Sequence, residues 1–448
     1  MLTDRNKKLT AREKALQIFE AAVTAVQPQR LLPAHLFIEH NILHILDQQF
    51  LVDKIQNIYI IGAGKASAAM AKVAEKILGN LITAGIVVTK YEHALPLQKI
   101  ICMEAAHPLP DEAGLKATIK TIEVVQRAGK NDFVICLISG GASSLWIDLP
   151  YNATLTDVQQ TFHILLQCGA NIEEINTIRK HLSAIKGGQL LQYAPAANWF
   201  SFIISDVPGD DLSVIASGPT VPDSSSFTDV KNIVEKYALT NKLPASILKH
   251  TKDGVGGLVN ETAKPGDVIF KQVQNKVIGN NSIALQAAEK KATAFGYNIV
   301  LVDRNMKGDA ATTAIEIMNR CKKYSGIKPA CMLFGGETTV NVTGKGKGGR
   351  NQHLVLSAFL QLAQHEDLNQ HHHLTFLSAG TDGTDGPTDA AGAIADKEIV
   401  RLARENKIDA KHYFDDNDAY HFFEQTGGLV KTGATQTNVM DMVVVLID

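Results

Sequence analysis

Residues 60–71 read IIGAGKASAAMA: an apolar run, glycines at 62 and 64, Lys65, then a string of small residues suited to a helix. Such a turn can hold an ATP phosphate, hold a dinucleotide, or simply bend, and each outcome makes a different protein. A Walker loop requires G-x-x-x-x-G-K-[ST]. Here Gly64-Lys65 is followed by Ala66, and Tyr59 stands where the first glycine belongs, so that loop is absent. A dinucleotide fingerprint requires G-x-G-x-x-G and an acid at the end of the next strand. Gly62 and Gly64 fit it, but Ser67 takes the third glycine position, and the next run ends VVTKYEH with Lys90 before Glu92. The match is partial. A glycine turn that opens a helix exposes backbone N–H groups and the positive end of a helix dipole. A lysine in that first turn opposes the dipole unless an anion sits there. The competing reading is a tight bend with a solvated lysine.

Working outward, the same strand–loop–helix pattern repeats. AGIVVTK, DFVICLISGGASS and WFSFIISDVPGDD are apolar runs, the last two ending in glycine-rich or acidic loops. Apolar runs without alternation suit strands covered on both faces, hence a mostly parallel, Rossmann-like α/β sheet. The first 50 residues read as helical, with Ala15, Ile18, Phe19 and Ala22 at three- and four-residue steps. Residues 240–267 are rich in proline, glycine and polar residues and form the best linker. A second alternating series follows, closing on TNVMDMVVVLID. The expectation is two α/β domains, residues 1–250 and 251–448, with a hinge near 250 and the active site in the cleft between them. NQHHHL at 369–374 reads as a solvated turn.

The chain has 448 residues, a formal net charge of −2, 45% hydrophobic and 20% charged residues, which suit a globular protein of more than one domain. That charge offers no general attraction for nucleic acid or anionic membrane. No apolar stretch approaches the length of a membrane span, and the charged N-terminal segment does not read as a signal peptide. The five cysteines form no C-x-x-C pair, which leaves a reducing cytoplasm as the expected compartment.

The loops carry the chemistry. LISGGASSLW brings Ser139, Gly140, Gly141, Ser143 and Ser144 for cradling phosphate or substrate; it lacks the G-x-S-x-G of a serine hydrolase. SDVPGDD offers Asp206, Gly209 and Asp210, carboxylates at a strand end that can hold Mg²⁺ or take a proton. FGGETTV supplies Glu337 and Thr338, and GKGKGGRNQH supplies Arg350 and Asn351 in a basic glycine-rich loop. SAGTDGTDGPTDAAGA brings Thr381, Asp382, Gly383 and Asp385, without the glutamate that completes an EF-hand. For each loop a plain turn or cap is the competing reading. Cations on phosphates with carboxylates for a metal and a hydroxyl are what phosphoryl transfer needs.

These stretches, together with HPLPDEAG and the terminal TGATQTNVMD, resemble the bacterial and animal glycerate 2-kinases, whose C-terminal part is called the MOFRL domain. The resemblance runs from about residue 12 to the end. It implies ATP-dependent phosphorylation of D-glycerate to 2-phosphoglycerate with Mg²⁺, the family's key lysine falling on Lys65 and its key arginine on Arg350. Within the matched motifs, Asp206 is the leading group to orient the hydroxyl, and Asp206, Asp210, Asp382 and Asp385 are the metal candidates. One departure is TGATQTN, where TGPTGTN is expected. The expected partners are ATP and D-glycerate, and a homodimer is compatible with this reading. The alternative is an NAD(P)H-dependent hydroxypyruvate reductase, which rests on the partial dinucleotide fingerprint.

Overall fold

The computed structural model describes residues 9–364 and 373–448, so residues 369–372 of the histidine tract lie outside the described residues. The chain divides into two compact units, Pro28–Ile278 and a second made of residues up to Gln27 with Gly279–Asp448. The expected division at 250 thus differs at both ends. Residues 240–267 do not serve as a linker: they contain a helix, Ala245–Val255, that buries Ile247 and belongs to the first unit's core.

In the unit Pro28–Ile278, the segment expected to be helical is so only over residues 28–34 and then gives way to a small antiparallel sheet: β1 (Leu36–Glu39), β2 (Ile42–Ile45) and β3 (Gln48–Leu51). His40 and Asn41 both take positive φ, the geometry of a two-residue hairpin turn, and this overrides the apparent helical spacing. The main sheet follows, with β4 (Ile58–Ala63), β5 (Ile82–Lys90), β6 (Ile100–Ala105), β7 (Phe133–Ile138), β8 (Asn198–Ile204) and β9 (Val273–Gly279) in the order β6-β5-β4-β7-β8-β9. Strands β4 to β8 pair in parallel. Every residue of β4 and β7 is buried, as two-sided cover by helices requires. The order places the ends of β4 and β7 side by side, so the loops after them meet.

The other unit is built on a mixed sheet of β10 (Asn298–Asp309), β11 (Ala330–Thr339), β12 (Leu374–Gly380), β13 (Gly392–Ala395), β14 (Leu429–Val430) and β15 (Asp441–Ile447), in the order β10-β11-β15-β12-β13-β14. The strand at the end of the sequence occupies the middle of the sheet, antiparallel to β11 and β12 and buried throughout. Helix α1 (Ala11–Ala25) joins this unit across more than 250 residues of chain. A Thr10–Glu13 capping box starts it, and its buried face is Ala15, Ile18, Phe19, Ala22 and Val23. Arg12 Nη2 donates to the Gly427 carbonyl at 2.5 Å, and Gln27 Nε2 to that of Thr435 at 3.3 Å. No described helix is long and apolar enough to cross a membrane.

Candidate active site

The turn at 62–67 resolves into backbone packing. Gly62 lies where an added Cβ would come within 2.6 Å of the Leu137 carbonyl oxygen. Gly64, at φ +130, faces Ser139 so closely that a Cβ would sit 2.4 Å from its carbonyl oxygen. Both glycines let β4 and its loop lie against β7. The N–H groups of the turn are consumed as well: Gly64 donates to Val88 O (3.1 Å), Lys65 to Gly140 O (2.9 Å), Ala66 to Ser139 Oγ (2.9 Å) and Ser67 to Gly64 O (3.1 Å). The expected anion cradle of exposed amides before helix α2 (Ser67–Leu78) is therefore not formed by this turn. Ser67 Oγ, in the third fingerprint position, lies 2.8 Å from the carbonyls of both Gly64 and Val88 and closes the turn from inside.

The amides left without an acceptor belong to the neighbouring loop, where Gly140 is buried and Gly141 half-buried. Gly140 and Gly141 donate to no acceptor among the described residues, and Gly141 holds φ +88. The His107 imidazole packs on Gly141 so closely that a Cβ there would meet its Cδ2 at 2.9 Å. Successive N–H groups around a left-handed residue make a concavity for an anion. The bond from Lys65 N to Gly140 O ties Lys65 to that loop. Ser139 is buried under the turn rather than facing a ligand, whereas Ser143 and Ser144 in the short helix α3 (Ala142–Leu145) are half-buried. Ser143 Oγ meets Ser217 Oγ at 3.1 Å, and Ser217 Oγ donates to Asn176 Oδ1 at 3.1 Å. Sequence reasoning missed Ser217 and Asn176, because only the fold brings residues 143, 176 and 217 together. At the end of β8, Asp206 and Asp210 flank a turn in which Asp210 N donates to Val207 O and Gly209 takes φ +81.

A second cluster forms in the other unit, where β11 and β12 end beside the start of β15. Arg350 opens helix α4 (Arg350–Gln364). It grips Asp441 with Nε–Oδ2 at 2.6 Å and Nη2–Oδ1 at 3.0 Å, and its Nη1 reaches Glu337 Oε1 at 2.6 Å. Burial works against the guanidinium charge, but Asp441 and Glu337 outweigh it and raise its pKa. Asp385 accepts the N–H groups of Asn351 (3.0 Å) and Gln352 (2.8 Å), one on each oxygen, and so caps α4 from outside the helix. Full burial pushes its carboxyl up to about 6, against the pull of those bonds.

The remaining candidates of this unit serve its own architecture. Asn351 accepts from Ser378 Oγ at 2.6 Å and is buried. Thr381 donates to Met440 O and accepts from Val439 N. Gly383 gives way to the Gly433 carbonyl, and Thr338 is buried. Asp382 Oδ1 folds back on the amide and hydroxyl of Thr384. The basic loop is anchored, not open: Gly346 N donates to Asp416 O, and the amides of Lys345 and Lys347 donate to Asp416 and Asp418 carboxylates. Lys347 Nζ lies 4.4 Å above the Tyr420 ring. Gln436 holds left-handed φ 61 where the resemblance expects glycine, so that departure leaves the turn formed. Among the described residues, no three His, Cys, Asp or Glu side chains converge on a metal-sized site.

Amides, a lysine and carboxylates gathered at the strand ends of a mostly parallel sheet define the class as an α/β protein. Comparison with known proteins narrows this class. Residues 14–252 match the family model described as a domain of unknown function, DUF4147, and residues 330–441 match that of the MOFRL family. The chain is 36% identical to the glycerate 2-kinase of Pyrococcus horikoshii, covering 97% of each chain. It is 38% identical to the D-glycerate 2-kinase of Thermotoga maritima, covering 88% of this chain and 91% of that one. The crystal structure of the glycerate kinase of Thermotoga maritima superposes with a TM-score of 0.82 at 36% identity, covering 98% of this chain and 99% of that chain. This chain belongs to the glycerate 2-kinase family.

Proposed function

We propose that this protein transfers the terminal phosphoryl group of ATP to the 2-hydroxyl of D-glycerate, giving 2-phosphoglycerate, with Mg²⁺ as its metal. The observation that carries the reading is the position of Lys65 beside the open amides of Gly140 and Gly141, in a chain of this family. Phosphoryl transfer asks little covalent chemistry of a protein; it asks for positioning and for charge placed where oxygens become more negative. The Gly140–Gly141 amides and the Lys65 ammonium receive anionic oxygens of nucleotide or substrate. Asp206 orients the glycerate hydroxyl and draws on its proton. Arg350, held charged by Asp441, offers its Nη1 edge to an anion that takes the place of the half-exposed Glu337.

For the metal, the donor sets differ in fit. Mg²⁺ needs one or two carboxylates, with phosphate oxygens and water completing its shell. Asp385 does not fit, because both its oxygens are committed to the amides of α4. Asp382 has one oxygen spent on Thr384. Asp206 and Asp210 stand at either end of one turn at the end of the parallel strand β8, where open sheets of this kind bind ligands, and would hold the ion there. Bound there, it neutralises charge on the phosphate oxygens. ADP release measured with D-glycerate tests the reading, and phosphorus NMR of the product identifies the hydroxyl. Folded protein that releases no glycerate-dependent ADP would sink it.

A further inference from the structure

The loop that carries the open amides is backed by a chain of hydroxyls with a defined direction. Asn176, on the helix Ile172–His181, is 3% exposed, and Ser217 is fully buried. Ser217 Oγ donates to Asn176 Oδ1 at 3.1 Å, which uses the one hydrogen a serine hydroxyl has. Ser143 Oγ, 3.1 Å from Ser217 Oγ, must then be the donor in that contact. With its hydrogen turned inward, the half-buried Ser143 presents only lone pairs to whatever occupies the loop.

Ser217 is held in this role by its backbone. Ala216, Ser217 and Gly218 all take positive φ, at 54, 57 and 63. The carbonyls of Ser217 and Gly218 accept from the amides of Gly187 (3.0 Å) and Gly188 (2.8 Å), themselves left-handed. Non-glycine residues persist in this region only where their surroundings over-determine them. The hydroxyl of residue 217 is thereby pinned between Ser143 and Asn176.

We propose that Ser217 and Asn176 are positioning residues that preset Ser143 as a hydrogen-bond acceptor, so that Ser143 binds a hydroxyl of the acceptor substrate and not an anionic oxygen. This narrows the phosphate-cradling role expected of that loop: the amides of Gly140 and Gly141 take the anion, and Ser143 takes the alcohol. The loop then separates the two chemical faces of a hydroxy acid. An acceptor aimed at an oxyanion repels it, whereas an acceptor aimed at a hydroxyl binds it and leaves a buried mismatch when the hydroxyl is missing.

The inference rests on the glycerate-kinase reading above, and its test uses sulfate, an anion that at neutral pH only accepts hydrogen bonds. Steady-state kinetics with D-glycerate and ATP, with sulfate as inhibitor, are compared for wild type, Ser217→Ala, Asn176→Leu and Ser143→Ala, each checked by thermal melting. In Ser217→Ala the Ser143 hydrogen is released toward the ligand. In Asn176→Leu, Ser217 turns its hydrogen onto Ser143, with the same consequence. Both should lower kcat/KM for glycerate by about tenfold and tighten sulfate inhibition by several-fold, the worth of one hydrogen bond reversed in sense. Ser143→Ala should lose glycerate turnover without gaining sulfate affinity. A merely structural role would weaken glycerate and sulfate together, and parallel loss or no change in the folded variants overturns the proposal. Should one of the two variants fail to fold, the other reads the same sign. Wild-type enzyme without glycerate-dependent ADP release would instead overturn the functional reading itself.

Discussion

Arg350 and Asp441, 91 positions apart, form a two-point ion pair in which guanidinium Nε and Nη2 each meet one oxygen of a carboxylate that is 1% exposed. The pair ties the first turn of α4 to the first residue of β15, and so fixes the Arg350 guanidinium in the second cluster. Replacing Arg350 with alanine leaves Asp441 buried without its counter-charge. The expected cost is about 2–4 kcal/mol, below the fully buried value because the arginine is about a third exposed. Arg350→Lys keeps the charge but not the fork, and should recover only part of the loss. Urea unfolding of the three proteins measures this; equal midpoints would show the pair contributes nothing.

Lys65 stands in a turn whose backbone bonds are made by main-chain groups and by Ser139 Oγ. Lys65→Ala should keep the turn and the fold and lower kcat/KM by on the order of 10²-fold, the worth of one preorganised charge. A near-wild-type rate in folded Lys65→Ala would take the lysine out of the anion site.

Two glycines in strand-end turns should respond differently to alanine. At Gly64 the added Cβ meets Ser139 Oγ at 2.2 Å and its carbonyl at 2.4 Å, at φ +130, so Gly64→Ala should cost roughly 2–5 kcal/mol through strain and overpacking. At Gly209 no atom lies within 4 Å, so Gly209→Ala should cost only about 1 kcal/mol for its left-handed φ. Comparable destabilisation at the two sites would contradict the close approach of β4 and β7.

Asp385 predicts a pH dependence of stability. Its carboxyl is raised by burial from 3.8 to about 6, so between those values the folded state holds more protons than the unfolded one. Stability contributed by this group is therefore full below about 4 and declines as pH rises to about 6, then levels off. Carboxyl-carbon NMR should place the Asp385 midpoint near 6. A midpoint below 4 would mean the α4 amides, and not burial, govern the group.

Much of the architecture is legible from local pattern. Apolar runs such as IYIIGA and FVICLI must be buried on both faces, and alternation with helix-forming segments then requires a largely parallel sheet with its loops at the strand ends. The short antiparallel sheet at 36–51 escaped because its hairpin turns use His40-Asn41 and Leu46-Asp47 rather than glycine. The grouping of α1 with the C-terminal unit depends on contacts made hundreds of residues away, which no local window contains.

At the candidate site the motifs were visible but their assignments were not. IIGAGKASAAMA announces a strand, a tight turn and a helix by composition alone, since small residues and glycine permit close approach. Whether its amides face a ligand depends on which acceptors arrive from elsewhere, and here Val88, Gly140 and Ser139 arrive to take them. The open amides lie one loop away, at Gly140 and Gly141. Asp441, Ser217 and Asn176 were invisible for the same reason: a hydrogen bond is a relation between two places in the chain, and the sequence specifies each residue while only the fold brings the partners to hydrogen-bonding distance.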